Sequence, residues 1–520
     1  MDNSNNNEAL LYGKSGIKHL VGIETGDDGT CLFIQDMHSG EVNVQIEPHR
    51  YWLLSNKNID GKFVRLEGNL HYCWGRQFST KEDFMRHRGM WRKYDTYSIY
   101  NGEEAAMVKD GYTFFRDMKP SDVSLLSFDI ETTGLNGYAD DAKILLISTT
   151  YRNAFGRSVN RLFSYDEYET EADMLLDFFA YVRKKDPSLL VGHNILTYDF
   201  VYLQARCEIN NVPFIIGRND SEVKFNTYES KFRLDGTRDL LYKNAHVWGR
   251  ELIDTYFLSV SFDVSKSFET YALKPLIKQL GFEKPGRQYY DAGSIRDHYK
   301  NPIEWEKIKN YAEADAEDAV KLWDHMGPLY FNMCQYVSKP FSEMLLTASG
   351  SKINNMMVRA YLQQRHSIPK AEEPRKFAGG LSWGKPGIYK SVVKVDAVSL
   401  YPSVIIEFSV FDKNKDPKAY LLELVKIFRD NRLEFKKLAA ETGDSYWKQM
   451  DTTAKGVLNS FFGFYGCSGL NFNSFDCADF ITKKSREILQ TAIIWATSKK
   501  FEEIAPDYYE NHDQMVENDE

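Results

Sequence analysis

The residues that could do chemistry begin with acids in three separated segments. In LLSFDIETTG the two-residue period of an extended strand puts Ser127, Asp129 and Glu131 on one face and Leu126, Phe128 and Ile130 on the other. Two carboxylates side by side on a strand that otherwise reads as buried repel each other and are costly to desolvate unless a cation compensates them. In VGHNILTYDF, Asp199 follows a hydrophobic strand, with Asn194 in the connecting turn. In YAEADAEDAVKLW a helical pattern places Tyr311 and Asp315 four residues apart on one face. Each segment alone has a plain structural reading: a strand end reaching solvent, a helix cap, a solvated acidic helix. Together they offer hard oxygen ligands suited to a pair of Mg²⁺ or Mn²⁺ ions. Two such ions about 3.5 to 4 Å apart can stabilise the attacking and the leaving oxygen in phosphodiester hydrolysis.

A second set lies further along. VVKVDAVSLYPSVI reads as a β-branched strand with Asp396 at its end, then a turn through Ser399 and Leu400 to Tyr401 and Pro402. Arg432 and Lys436 are four apart in a helical stretch, as a solvated basic face paired with Asp430 or Glu434 would also be. In KGVLNSFFGFYG, Lys455, Asn459 and Phe462 share a helix face, so a cation, an amide and an aromatic ring point the same way. Phosphates, a base edge and a stacking surface would satisfy them.

The elements that must position these groups fall into blocks. Residues 1 to about 115 hold short β-type runs such as TCLFIQ and FVRLEG, with aromatic and basic residues in CWGRQF and HRGMWRKY that permit single-strand stacking. From about 120 to 335, strand-like stretches (VSLLSFDI, KILLISTTY) alternate with helix-like ones (EADMLLDFFAYVRKK, EDAVKLWDHM), the signature of an α/β layer domain. The Gly-bearing KFAGGLSWGKPGIYK then marks a boundary before a helical, charged stretch near residue 419. At 520 residues the chain exceeds the roughly 250 to 300 at which one core stops growing, so about three domains are expected.

Composition narrows the class. A hydrophobic fraction of 43% with 14% aromatics excludes a disordered polymer. The net charge of -9 argues against uniform basic coating but leaves room for a local groove, the more so if some acids are cation ligands. Six cysteines without CxxC spacing suggest neither a zinc knuckle nor a disulfide framework. The polar start MDNSNNNEAL and the lack of a long apolar run point to a cytoplasmic protein with no membrane partner.

The ordered set DxE, NxxxYD and YxxxD resembles the three exonuclease motifs of the replicative, phage-like family B DNA polymerases, in the class with a tyrosine in the third motif. Tyr198 stands where many relatives have Phe. The resemblance implies that Asp129, Glu131, Asp199 and Asp315 hold metals and that Tyr311 helps position the attacking water. DxxSLYPS resembles polymerase motif A, implying that Asp396 binds metal, that the backbone near Ser399, Leu400 and Tyr401 cradles a triphosphate, and that Tyr401 excludes a 2'-hydroxyl. KGVLNSFFG resembles motif B, with Phe462 in place of its Tyr. By the same likeness Arg432, Lys436, Lys455 and Asn459 belong to the nucleotide site. FAGG at 377 to 380 resembles the YxGG hinge, and ADFITKKSREIL is similar to the helix after motif B, so the likeness spans roughly residues 120 to 490.

The fold so implied is multidomain α/β and α+β. It comprises a β-rich N-terminal domain (1–118), a ribonuclease H-like 3'-5' exonuclease domain (119–338), a joining region (339–380), palm (381–418), helical fingers (419–466), then partial palm with an acidic tail (467–520). The Asp-x-Asp hairpin that completes the family's polymerase site is not found, and neither is a thumb. The resemblance therefore implies proofreading in this chain and synthesis only with a second polypeptide carrying that hairpin and the thumb, as in a split polymerase. A truncated or degraded gene would give the same sequence. The expected partners are primer-template and single-stranded DNA, dNTPs, Mg²⁺ or Mn²⁺, that second chain, and a sliding clamp with other replisome proteins. The competing readings are a stand-alone 3'-5' exonuclease with a DNA-binding remnant and a non-catalytic DNA-binding subunit.

Overall fold

The computed structural model describes residues 2–506 and 508, apart from 27, 49, 50, 235, 236, 395 and 398; most of the acidic end, 509–520, lies outside the described residues. The N-terminal block opens on helix α1 (Asp2–Tyr12), an element the sequence reading lacked. An antiparallel meander follows, β1 (Leu20–Gly26), β2 (Gly29–Gln35) and β3 (Val42–Glu47). A second sheet, in the order β5-β6-β4-β7, is built from β4 (Tyr51–Ser55), β5 (Val64–Arg65), β6 (Trp74–Phe78) and β7 (Thr96–Tyr97). It is flanked by α2 (Lys81–Met90) and α3 (Gly102–Asp110).

The next unit is a five-stranded mixed sheet in the order β10-β9-β8-β11-β16. Its strands are β8 (Leu125–Thr132), β9 (Ile144–Arg152), β10 (Ser158–Ser164), β11 (Leu189–Gly192) and, later, β16 (Glu251–Asp254). β9 is antiparallel to both β8 and β10, whereas β11 runs parallel to β8 and β16. Helix α4 (Glu171–Lys185) starts where the Thr170 hydroxyl accepts from the Asp173 amide and the Asp173 carboxylate accepts in return from the Thr170 amide, a reciprocal cap. Its Phe178, Phe179 and Val182 close the apolar face of the sheet with Phe128 and Phe163. α5 (Asp199–Ile209) follows β11. Two short ribbons, β12 (Lys224–Phe225) with β15 (Ala245–His246) and β13 (Ser230–Arg233) with β14 (Asp239–Tyr242), precede β16.

After α6 (Thr255–Phe262), α7 (Leu273–Gln279) and the single turn α8 (Ile295–His298) comes the longest helix, α9 (Pro302–Cys334). Its start is set by Asn301, whose side chain accepts from the amides of Ile303 and Glu304, and by Pro302, whose missing N–H is no loss in the first turn. The first half of α9 packs on β8 and β9; the second half enters a core shared with α11 and α14, where Gly456 faces Leu329. α10 (Phe341–Met344), α11 (Ser349–Leu362), α12 (Leu400–Glu407), α13 (Tyr420–Thr442), α14 (Ser445–Tyr465), α15 (Phe475–Thr497) and α16 (Phe501–Ile504) complete the chain. One continuous apolar core runs from Leu10 and Leu11 through Phe115 and Phe331 to Phe428 and Phe461.

The strands and helices expected around the acids all form, as does the long helix after residue 419. The strand expected at VVKVDAV does not: among the described residues 391–397 none is in a strand, and Val392, Val393 and Asp396 are exposed. β-branched residues fit a pleated surface but do not supply the neighbouring strand whose hydrogen bonds define one.

Candidate active site

β8 carries Asp129 and Glu131 to one face while Leu126, Phe128 and Ile130 pack into the core beneath, as the two-residue period requires. β9 holds the register, pairing Asp129 with Ser148 and Glu131 with Leu146. α9 crosses this face and presents Tyr311 and Asp315, both buried, one helical turn apart. Ligand oxygens of Asp129, Glu131 and Asp315 lie within 4.8 Å of one another.

Asp199 opens α5 on the same cleft, and its Oδ1 accepts from the amide of Ile130 at 3.2 Å, between the two strand acids. The turn leading to it is fixed by Asp254 at the end of β16, whose Oδ1 accepts from the Asn194 amide at 2.9 Å and whose Oδ2 accepts from the Leu196 amide at 3.1 Å. Asn194 takes the left-handed backbone, φ 68°, that this turn needs and that Asn tolerates. The Tyr198 and Thr132 hydroxyls are 2.7 Å apart, tying the turn to the end of β8.

The electrostatics follow from confinement. Burial, then the charges of Asp199, Asp315 and Glu131, push the Asp129 carboxyl well up from its ordinary value. Burial and Asp315 push Glu131 up to about 8, and burial takes Asp199 to about 7. Among the described residues, neither the Asp129 nor the Glu131 carboxylate has a hydrogen-bond donor or an ion-pair partner. Hard oxygens crowded together without donors are the donor set a divalent cation satisfies, so the residues fit such an ion.

Two cations complete the wall and were missed in the sequence. Lys274, at the start of α7, contacts the Tyr311 hydroxyl, lies 4.1 Å from its ring centroid and 3.4 Å from Asp315 Oδ2. Arg287 pairs with Asp315 through one amino group and with Asp318 through the other. Lys274 comes from a seven-residue helix and Arg287 from irregular chain, both between α6 and α9, where no long periodicity marks a position as inward. The cleft has a volume of about 520 Å³, is open to solvent, and is lined also by His193, Tyr256 and Leu240.

The second set is gathered less tightly. Arg432 on α13 donates through Nη1 to the Ser399 hydroxyl at 2.7 Å and pairs through Nε with Asp451 on α14 at 3.0 Å, rather than with Asp430 or Glu434. Ser399, Arg432 and Lys436 line a cavity of about 170 Å³ with Leu458 at its floor. Leu400 begins α12, and the Tyr401 ring lies 4.2 Å from that of Phe462. Lys455 and Asn459 are exposed on α14. Asp396 is exposed in an irregular segment, and among the described residues it belongs to no cluster of carboxylates.

A sheet and an acid-lined cleft of this kind suit metal-assisted hydrolysis of a phosphodiester. Residues 104–259, which include Asp129, Glu131 and Asp199, match the family model for the exonuclease domain of DNA polymerase family B. The DNA polymerase of Thermococcus sp. (strain 9oN-7) is 24% identical over 408 residues, covering 72% of this chain and 51% of that protein. That of Thermococcus gorgonarius is 25% identical over 410 residues, with the same coverage of 72% and 51%. The structure of the family B DNA polymerase from the hyperthermophilic archaeon Pyrobaculum calidifontis shares the fold, with a TM-score of 0.71 at 16% identity over 92% of this chain and 71% of that one. Residues 104–259 thus match the exonuclease domain of family B DNA polymerases, and the chain is similar to archaeal DNA polymerases over 72% of its length. It spans about half the length of the curated relatives it matches.

Proposed function

We propose that this chain is the proofreading part of a replicative DNA polymerase, removing nucleotides from the 3' end of a DNA strand. The observation that carries this is the meeting of Asp129, Glu131 and Asp315 within 4.8 Å at the floor of a solvent-open cleft. In this reading Asp129, Glu131, Asp199 and Asp315 hold Mg²⁺ or Mn²⁺, which when bound supplies positive charge to the phosphodiester and lowers the pKa of water. Tyr311, its hydroxyl kept protonated by burial and the charge of Glu131, donates toward the attacking water. Asp254 keeps the Asn194–Leu196 turn in place, and through it Asp199.

The same reading makes residues 396–459 half of a nucleotide site. Ser399, Leu400 and Tyr401 cradle a dNTP, and Arg432, Lys436, Lys455 and Asn459 meet its phosphates and base. Asp396 binds metal only beside a second carboxylate. We place that acid, with the thumb, on a second polypeptide, as in the split polymerases of phages, so that synthesis needs the pair. A clamp and other replisome proteins would act on that pair. The domain limits given above, with the exonuclease at 119–338 and the fingers at 419–466, are part of this proposal. A second reading, a stand-alone exonuclease, is favoured by one observation: Asp396 is exposed and apart from other acids.

The test is a labelled primer-template with Mg²⁺, with and without dNTPs. Shortening from the 3' end that Asp129→Ala abolishes is expected. Shortening that survives this substitution removes the nuclease site, and extension by the chain alone removes the need for a second polypeptide.

A further inference from the structure

Among the polar side chains lining the cleft, His193 is neither an acid nor a fixed cation, yet both of its ring nitrogens are committed. It follows β11 directly, one residue before Asn194. Nε2 lies 3.0 Å from the carbonyl oxygen of Tyr271, and since a carbonyl only accepts, Nε2 carries the proton and donates. Nδ1 lies 2.9 Å from the hydroxyl of Thr255, the first residue of α6. That hydroxyl is also 3.1 Å from the Gly192 carbonyl and has one proton for the two acceptors. Burial pushes the imidazole pKa down to about 4, so the ring is neutral near pH 7 and its unprotonated Nδ1 accepts.

The bond to Tyr271 falls where the chain has to be aimed. Residues 263–272, between α6 and α7, form neither helix nor strand. Asp263 fixes the first half of this stretch by accepting from the amides of Ser267 and Phe268, both at 2.8 Å. The second half leads into α7, whose cap residue, Ala272, has no side chain to accept from the amides of the first turn. Lys274 stands in that turn, three residues beyond Tyr271, and its ammonium has to meet the Tyr311 hydroxyl and Asp315. We propose that His193 is a positioning residue of the nuclease site: through the Tyr271 carbonyl it sets the start of α7 and so holds Lys274 against the Tyr311 hydroxyl. This rests on the nuclease reading above, in which Tyr311 donates toward the attacking water. The other route open to His193 is the adjoining turn to Asp199, but Asp254 already holds that turn by accepting from the amides of Asn194 and Leu196. Loss of alignment at Lys274 slows the reaction without weakening the hold on DNA.

The test uses the full chain, a labelled primer-template and Mg²⁺, with two substitutions that divide the ring's bonds: a Gln amide reaches about as far as Nε2, an Asn amide about as far as Nδ1. His193→Asn should lower kcat for shortening about 10-fold or more, with KM for DNA and the Mg²⁺ concentration for half-maximal activity unchanged. His193→Gln, which keeps a donor for the Tyr271 carbonyl, should retain most of the activity. In a chain already slowed by Lys274→Ala, His193→Asn should cost nothing further, since two residues acting through one contact do not add. The proposal is overturned if His193→Asn is as fast as wild type, if His193→Gln is as slow as His193→Asn, or if the loss persists in full beside Lys274→Ala. A loss that appears in KM or in the Mg²⁺ demand overturns it as well, by routing the effect through DNA contact or the Asp199 turn. If the wild-type chain shortens nothing, or Asp129→Ala shortens as well as wild type, the nuclease reading falls and takes this role with it.

Discussion

Arg287 holds Asp315 by Oδ1 with one amino group of its guanidinium while the other pairs with Asp318, so the carboxylate that α9 presents to the cleft is gripped by a buried cation. Lys274 sits near the other oxygen, Oδ2, at 3.4 Å. The acid is thus held at both oxygens, and any cation it served in the proposed role would compete with these two for its charge.

Removing that grip should loosen the ligand. Arg287→Ala is expected to lower primer shortening about 10- to 100-fold, the usual effect of losing a partner that orients a metal ligand. The Mg²⁺ concentration for half-maximal activity should rise as well. Arg287→Lys, which keeps the charge but reaches only one carboxylate at a time, should fall between. Equal activity and metal dependence across the three proteins would remove Arg287 from the site.

The crowded acids give a pH signature. Glu131 is pushed from an ordinary 4.5 up to about 8 and Asp199 from 3.8 to about 7, so the folded chain binds more protons than the unfolded one between these limits. Stability from these groups is complete below the unfolded values and is lost as pH rises through the folded ones. With EDTA present the thermal midpoint should therefore fall from pH 5 to pH 8. Mg²⁺ should restore it at pH 8 and do little at pH 5. Glu131→Gln should flatten the EDTA profile, and a profile unaltered by that substitution would show that the shift lies elsewhere.

How much of this could be read in the sequence depended on range. β8 and the face of α9 were legible because a two-residue and a four-residue spacing are local facts. Asp254 was not, since its role is to accept amides of residues 194 and 196 from the far end of β16. Lys274 and Arg287 were hidden for the same reason, lying in a short helix and in irregular chain that only tertiary packing turns inward. Arg432 was visible, but its partner Asp451 is on the neighbouring helix, and the obvious local acids 430 and 434 proved irrelevant to it. The segment VVKVDAV failed as a strand because its local preference lacked a neighbour.

Arg432 gives a test of the proposed nucleotide site in the isolated chain. Its Nη1 fixes the Ser399 hydroxyl and its Nε is held by Asp451. Arg432→Ala should weaken binding of a fluorescent dNTP with Mg²⁺ about 10-fold or more, as loss of a charge-assisted contact does. Asp451→Asn should do less, because the guanidinium remains. Unchanged binding in the first variant would place the triphosphate elsewhere.

A structural prediction concerns Arg359, wholly buried on α11 and, among the described residues, without a carboxylate partner. It donates through Nη2 to the carbonyls of Leu10 at 2.9 Å and Leu11 at 2.7 Å, and through Nη1 to the Ser338 hydroxyl at 3.0 Å. It thereby closes the end of α1 against the main core. Arg359→Met would strand those acceptors and should cost about 3 kcal/mol in urea unfolding. A loss below about 1 kcal/mol, no more than one ordinary hydrogen bond is worth, would mean that α1 is held by its leucines alone.

Helix α9 carries Asp315 in its first half and meets α14, with its exposed Lys455 and Asn459, at Leu329 in its second. Fourteen residues of helix between them make a strut of about 21 Å. Its inner face is buried along most of that length, so it does not shorten or slide. The two sites are consequently fixed stations on one piece of scaffolding. If both proposed sites act on one DNA strand, the end of that strand has to travel between them, because the helix that joins them offers no travel of its own.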